Sequence, residues 1–302
     1  MSRALPSWLL ATLPLLLLGL ASGSACSWES PDYSRTPVLF VHGLGQSSVV
    51  WRSMIAHLAS GYPRDYLYGV DIVPNTMTNA RAAATVLAPA ADALLARARA
   101  AAQRGGYRGE LPRRIDIVSH SMGALSSRWY AAKLRPDLVR TWVGLAGANH
   151  GTQSVCGWTD AASRELCPAF ATNANTHALQ VALNGTDGAR VDETPFGLGP
   201  DRPGAPHIPA DGARSILYLT IRVEPDHWIQ PEQSALLDGA GGVPLTIPAG
   251  VPAEETSPGN LLFRARVEHD PLLNHPDLLQ LVAALLAVRD GDGRPAGGRA
   301  AR

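Results

Sequence analysis

The run RRIDIVSHSMGALSSRWY, residues 113–130, holds a serine placed to act as a nucleophile. Ser121 follows an apolar β-type run, IDIVS, and opens a helical pattern, with Gly123 two residues on. A nucleophile elbow needs this order, because a sharp strand-to-helix turn lifts the hydroxyl above the sheet while strand and helix pass closely. Small residues must stand two positions either side of the serine. The usual pattern is G-x-S-x-G; here Ser119 replaces the first glycine, adding only a methylene and a hydroxyl. The competing reading is a serine capping a helix N-terminus. The strand–SHSMG–helix context favours the nucleophile.

A nucleophilic serine needs N–H donors for an oxyanion, a base, and an acid to orient that base. The first donor is expected from Met122, immediately after the serine, and the second from a loop after an earlier strand. VLFVHGLGQ (38–46) supplies such a loop, with Gly43 allowing close backbone approach and Leu44 offering the N–H. On an elbow of this kind the triad runs Ser, acid, His along the chain. His42 precedes Ser121 and is assigned to shaping the loop. His150, in GANHGT, leaves no room for a preceding acid; His177 and His207 fall in an irregular stretch, and His227 sits beside the expected acid. His269 directly follows the strand-like LLFRARVE, whereas His275 begins a helical pattern, where a capping or surface role suffices. His269 is therefore the expected base. Asp226, in SILYLTIRVEPD, is the expected acid, Glu224 the alternative, and Asp238 reads as a turn residue.

These residues need elements to hold them. Strands are expected over 36–41, 66–73, 114–119, 141–147, 215–221 and 261–267, with helical patterns at 49–59, 78–103, 122–134 and 276–288. Alternation of apolar strands with helices predicts an α/β fold, a mostly parallel sheet covered on both faces. Chemistry in such sheets gathers at the carboxyl ends of the strands. The stretch 152–212 breaks the rhythm, carrying a short helical segment at 177–184 and a Gly/Pro-rich run at 192–212. It is long for an idle connection and suits a cap or lid. The tail 293–302 reads as disordered.

The chain has 302 residues, 46% hydrophobic, with 26 basic and 26 acidic side chains. That supports one large domain and argues against nucleic acid as a partner. Arg3, an apolar run at 8–20 and the small residues 21–25 follow the order of a secretory signal peptide, 1–25, leaving 26–292 as the domain. Thirteen apolar residues interrupted by Pro14 are short for a membrane span of about 20, so no transmembrane segment is expected in the mature form. Cys26, in GSAC, leaves a lipoprotein anchor as a minor alternative. Export makes a Cys156–Cys167 disulfide the expected state of the other two cysteines, and no Cys or His pair nearby has zinc spacing.

TPVLFVHGLG, IDIVSHSMG, WVGLAGANHGT, LNGTDGARVDETP, YLTIRVEPDHWIQPEQSALLDGA and VEHDPLLNHPDLLQLV together resemble the secreted bacterial class 2 lipases and related esterases of the α/β-hydrolase fold, over roughly residues 36–288. The resemblance implies Ser121 as nucleophile, Asp226 as acid and His269 as base, with the Leu44 and Met122 N–H groups as oxyanion donors. Ala or Ser often stands at the position of Ser119 in that family. Asp270-Pro271 departs from the small or apolar pair usual after the histidine. The expectation is a secreted serine hydrolase of carboxylic esters, acting on acylglycerols or other lipid esters, with no organic cofactor and no metal. A polyester depolymerase and a non-catalytic surface lipoprotein are the alternatives.

Overall fold

A computed structural model of the chain describes residues 31–167, 177–184, 216–241 and 243–288, with the backbone of 198–199 and 202–206. The expected signal peptide 1–25, Cys26, the tail 293–302 and most of 192–212 lie outside the described residues.

The main sheet has seven strands: β1 (Val38–Val41), β2 (Leu67–Val70), β3 (Ile115–His120), β4 (Val139–Leu145), β7 (Leu217–Val223), β9 (Asn260–Phe263) and β8 (Ala253–Ser257). Their spatial order is β2-β1-β3-β4-β7-β9-β8, parallel throughout except for the β8–β9 pair. A separate two-stranded antiparallel sheet joins β5 (Leu198–Gly199) to β6 (Arg202–Pro206).

The central strands read as continuous apolar runs because both faces are covered. In β1, Val38 and Phe40 enter one core with α1 (Arg52–Leu58) and α7 (Pro276–Leu286), while Leu39 and Val41 enter another with α2 (Asn79–Ala82) and α3 (Ala88–Arg104). α7 buries Leu278, Leu281, Val282 and Leu285, the spacing of a single helix face. Its start is fixed by Pro276 and by the His275 ring, which accepts the Asp277 N–H at 3.3 Å. His275 is thus a cap, as expected from NHPDLL.

Strand order positions the site. From β1 the chain turns towards β2, and from β3 it turns the other way, towards β4. Adjacent strands whose outgoing chains diverge leave a crevice at their carboxyl ends. Val41 pairs with Ser119 across this boundary, so the loops beginning at His42 and Ser121 leave side by side.

Three details differ from the sequence reading. β9 ends at Phe263, so Arg264–Val267 are not strand and His269 sits on a longer loop. β8 was not expected; its residues AEETS are polar because it is an exposed edge. A short helix, α5 (Ala161–Leu166), lies between the two cysteines, capped by Asp160, whose side chain accepts the Ser163 N–H.

Candidate active site

Ser121 has φ 57°, a left-handed backbone that L-residues with a Cβ adopt only when their surroundings impose it. Its N–H donates to Leu145 O at 3.1 Å, and its carbonyl accepts from Ala124 N at 3.0 Å and Ala148 N at 3.2 Å. α4 (Gly123–Trp129) follows directly. A Cβ on Gly123 would lie 2.5 Å from His42 O and 2.7 Å from Val41 O, so only glycine lets this helix pass β1. Ser119 is accommodated because its buried hydroxyl donates to Val143 O at 3.2 Å.

His269 and Asp226 reach this turn from the other side. Asp226 lies just past β7, and its Oδ2 is 2.9 Å from His269 Nδ1; both side chains are buried. Asp226 Oδ1 accepts the Trp228 N–H at 2.8 Å and the Ile229 N–H at 3.0 Å, so the chain wraps its own carboxylate. With Nδ1–H directed at the carboxylate, Nε2 carries the free lone pair. That atom is buried without a hydrogen-bond partner, and His269 lines the same cavity as Ser121. The rejected candidates are occupied elsewhere. Glu224 pairs with Arg222, and His150 Nδ1 is 2.9 Å from Ser234 O. His207 lies outside the described residues.

Leu44 and Met122 both border the serine, and among the described residues neither N–H has a protein acceptor. The direction of the Leu44 N–H is set by the other half of its peptide, since C=O and N–H point oppositely across a planar trans unit. Gly43 O receives His42 Nδ1–H at 2.9 Å, Asn75 Nδ2–H at 3.1 Å and Gln46 N–H at 3.3 Å. His42 Nε2 accepts the Ile72 N–H at 3.0 Å, so its two nitrogens join β2's exit to the loop, the shaping role expected of it. Burial lowers its pKa, which keeps the ring neutral for this division of donor and acceptor. A Cβ on Gly43 would lie 2.8 Å from Ser121 Cβ.

Sequence reasoning missed His120 and Gln46. The His120 ring is fully buried, 4.4 Å from the His269 ring, with Nε2 3.2 Å from His269 O and Nδ1 3.1 Å from Gln46 Oε1. Desolvation, then the neighbouring His269, push its pKa well below the usual histidine value. A neutral ring donates through one nitrogen only, so one of its two contacts is a hydrogen bond at a time. His120, His269 and Asp270 bring ligand-type atoms within 4.8 Å of one another. Asp270 is held by Gln46 and His269 by Asp226, so protein hydrogen bonds already engage them.

The cavity above Ser121 measures about 140 Å³ and is mostly apolar, walled by Leu44, Val155, Trp158, Leu166, Trp228 and Ile229. The Cys156–Cys167 disulfide, with Cα atoms 5.2 Å apart, closes the loop that carries Trp158. Thr152 Oγ1 accepts the Gln230 N–H at 2.9 Å and Gln153 N–H donates to Gln230 O at 2.9 Å, zipping that loop to the one after Asp226. Trp158 and Trp228 meet edge to face at 6.4 Å, each about half exposed. α6 (Ala178–Asn184) is docked too: Gln180 Nε2 donates to Glu165 O, and Asn184 Nδ2 to Asn149 O. These described parts of the 152–212 stretch pack on the sheet domain.

The sheet order, with a sharp turn at Ser121 between strand and helix, is that of the α/β-hydrolase fold. Residues 35–174, which carry the elbow and the Leu44 loop, match the family model Lipase (class 2). Lipase B of Aspergillus fumigatus is similar over 89% of this chain, at 16% identity and TM-score 0.51; the chain spans 57% of that protein. Carboxylesterase CesB of Bacillus subtilis is similar over 85% of each chain, at 16% identity and TM-score 0.44, and lipase BlEst2 of Bacillus licheniformis over 64% of this chain and 68% of its own, at 19% and 0.39. The chain is thus similar to class 2 lipases over residues 35–174, and the wider likeness to lipase B is one of fold.

Proposed function

We propose that this chain is an exported serine hydrolase that cleaves lipid or other acyl esters through an acyl-enzyme. The observation that carries the reading is the buried, unpartnered His269 Nε2, oriented by Asp226 and sharing a cavity with Ser121. Ser121 attacks the ester carbonyl as His269 takes its proton, and the imidazolium then protonates the leaving alcohol. The Leu44 and Met122 N–H groups receive the developing oxyanion. Water, activated by the same histidine, releases the acid.

The cavity's size bears on the acyl group. A dry pocket near 150 Å³ takes a molecule about the size of benzene. A volume of about 140 Å³ therefore suits an acyl group of about six carbons within the enclosed part, with a longer chain continuing past the tryptophans. Export is supported by the apolar leader 8–20 and by the disulfide, since such bonds persist in oxidising compartments. A second reading, a depolymerase of aliphatic polyesters, is favoured by the half-exposed Trp158 and Trp228 at the rim, where an insoluble chain would lie.

Hydrolysis of nitrophenyl esters of graded chain length, with fluorophosphonate labelling of wild type and Ser121→Ala, tests the proposal. Labelling only in the wild type and turnover peaking near C4–C8 are expected. Labelling of the alanine variant would overturn it. Emulsified triolein against polyester film separates the two substrate readings.

A further inference from the structure

We infer that Gln46 is a positioning residue that yokes the oxyanion loop to the loop of the general base, with Asp270 as its second anchor. The inference rests on the roles proposed above for Ser121, His269 and Leu44.

The Gln46 amide has one orientation. Its Oε1 accepts the Gly43 N–H at 2.9 Å, and its Nε2 donates to Asp270 Oδ1 at 2.8 Å. Turning the amide over would set a donor against the Gly43 N–H and an acceptor against the carboxylate, two repulsive contacts. The backbone N–H of Gln46 also donates to Gly43 O at 3.3 Å. One residue thus grips both polar groups of Gly43, and the second of these shares its peptide plane with the Leu44 N–H. Beyond the amide, Asp270 is the residue after His269, and His269 O lies against His120, whose other nitrogen returns to Gln46 Oε1. The contacts close a ring through Gln46, Asp270, His269 and His120, of which the neutral His120 makes one of its two a hydrogen bond, and Gly43 hangs from this ring at Gln46.

Gln46 touches no reacting atom in this scheme. It fixes where the Leu44 N–H stands relative to His269, and an oxyanion exists only beyond the ground state. Loosening the link therefore lowers kcat and leaves KM nearly alone. Losing an oxyanion donor outright costs about 10²–10³ in kcat, so misplacing one should cost about 10–100-fold. The Asp270 side chain, which departs from the residue type usual after the histidine, thereby acquires a use.

The test exchanges the polarity of the link. Gln46→Glu sets two carboxylates against each other and should cut kcat about 10–100-fold with KM within about twofold. Adding Asp270→Asn restores the bond in reverse: one Glu oxygen keeps the Gly43 N–H and the other accepts from the Asn amide. The double variant should return to within about threefold of wild-type kcat. Gln46→Ala and Asp270→Ala provide a second cycle; if the two act through one link, the double alanine variant should cost little more than Gln46→Ala alone. Thermal midpoints of each variant separate folding losses from kinetic ones. Wild-type kcat in Gln46→Ala, additive losses in the alanine cycle, or failure of Asp270→Asn to rescue Gln46→Glu would each overturn the inference. Fluorophosphonate labelling of Ser121 reads the underlying hydrolase assignment separately: an unlabelled wild type would mean that assignment failed, whatever the cycles show.

Discussion

Asp226 Oδ2 and His269 Nδ1 meet at 2.9 Å across loops that leave two neighbouring parallel strands, β7 and β9. The carboxylate is satisfied before the histidine arrives, because the Trp228 and Ile229 N–H groups occupy its other oxygen. His269→Ala should therefore abolish turnover, with kcat falling by about 10⁴–10⁶. Asp226→Asn should lose about 10⁴ by favouring the wrong tautomer. His275→Ala should keep near-normal kcat and lose about 1 kcal/mol of stability as a lost cap. Steady-state kinetics beside chemical denaturation check all three; a kcat loss in His275→Ala equal to that in His269→Ala would require a different base.

The two close approaches of glycine separate folding from catalysis. Gly123→Ala drives a methyl into the His42 and Val41 carbonyls, rigid backbone that cannot yield, and should give little folded protein. Gly43→Ala places a methyl 2.8 Å from Ser121 Cβ, at a loop. It should fold, with kcat reduced by at least about tenfold as the Leu44 donor shifts. Soluble yield and circular dichroism, then turnover, distinguish the two.

Acid should destabilise the fold from about pH 6.5 downward. His120 and His42 both have pKa values lowered by burial from the ordinary 6.5. Between that value and their native-state values the unfolded chain binds protons that the folded chain does not. Stability then falls as pH falls, by up to about 1.4 kcal/mol per pH unit for each ring, and is insensitive to these groups above the window. Urea denaturation between pH 7 and 5 measures the slope. His120→Asn should flatten it; an unchanged slope would remove His120 as a source.

Much of this site could be read from the chain because its pieces are local. The elbow, Met122 and the HGLG loop are short motifs whose chemistry depends on backbone shape, and that shape is encoded by small residues at fixed spacing. Asp226 and His269 are separated by 43 positions, but each is flagged by an apolar strand before it. The structure brings them together, although β9 ends at Phe263 and does not run up to the histidine as expected. What escaped notice depends on tertiary contact. Gln46 and Asp270 are unremarkable polar residues until two loops bring them to 2.8 Å. β8 is invisible to a search for apolar runs because an edge strand has solvent on one side and needs no such run. α5 did leave a trace, in the Asp160–Ser163 spacing of a helix cap.

Acyl preference should follow Trp228. Trp228→Ala removes a wall of the cavity without removing the amide that holds Asp226. The chain-length optimum should move to longer esters, with turnover of acetyl esters changed less than about threefold, since one methylene more or less in an apolar pocket is worth about 1–3 kcal/mol of discrimination and an acetyl group places almost none there. Reducing the Cys156–Cys167 bond should move the optimum the same way by freeing Trp158. A profile unmoved by either change would mean that other residues set acyl length.

Trp228 serves two masters through different atoms: its main chain steadies the acid and its indole shapes the cavity. Any side chain except proline's supplies that N–H. Point substitutions can therefore recut the pocket generation after generation while the acid keeps its support. An insertion or deletion between Asp226 and Gln230 has no such freedom, because it shifts Trp228 O and the Gln230 N–H off Thr152, which ties this loop to the disulfide-closed one. Diversification of this loop should be free in composition and frozen in length.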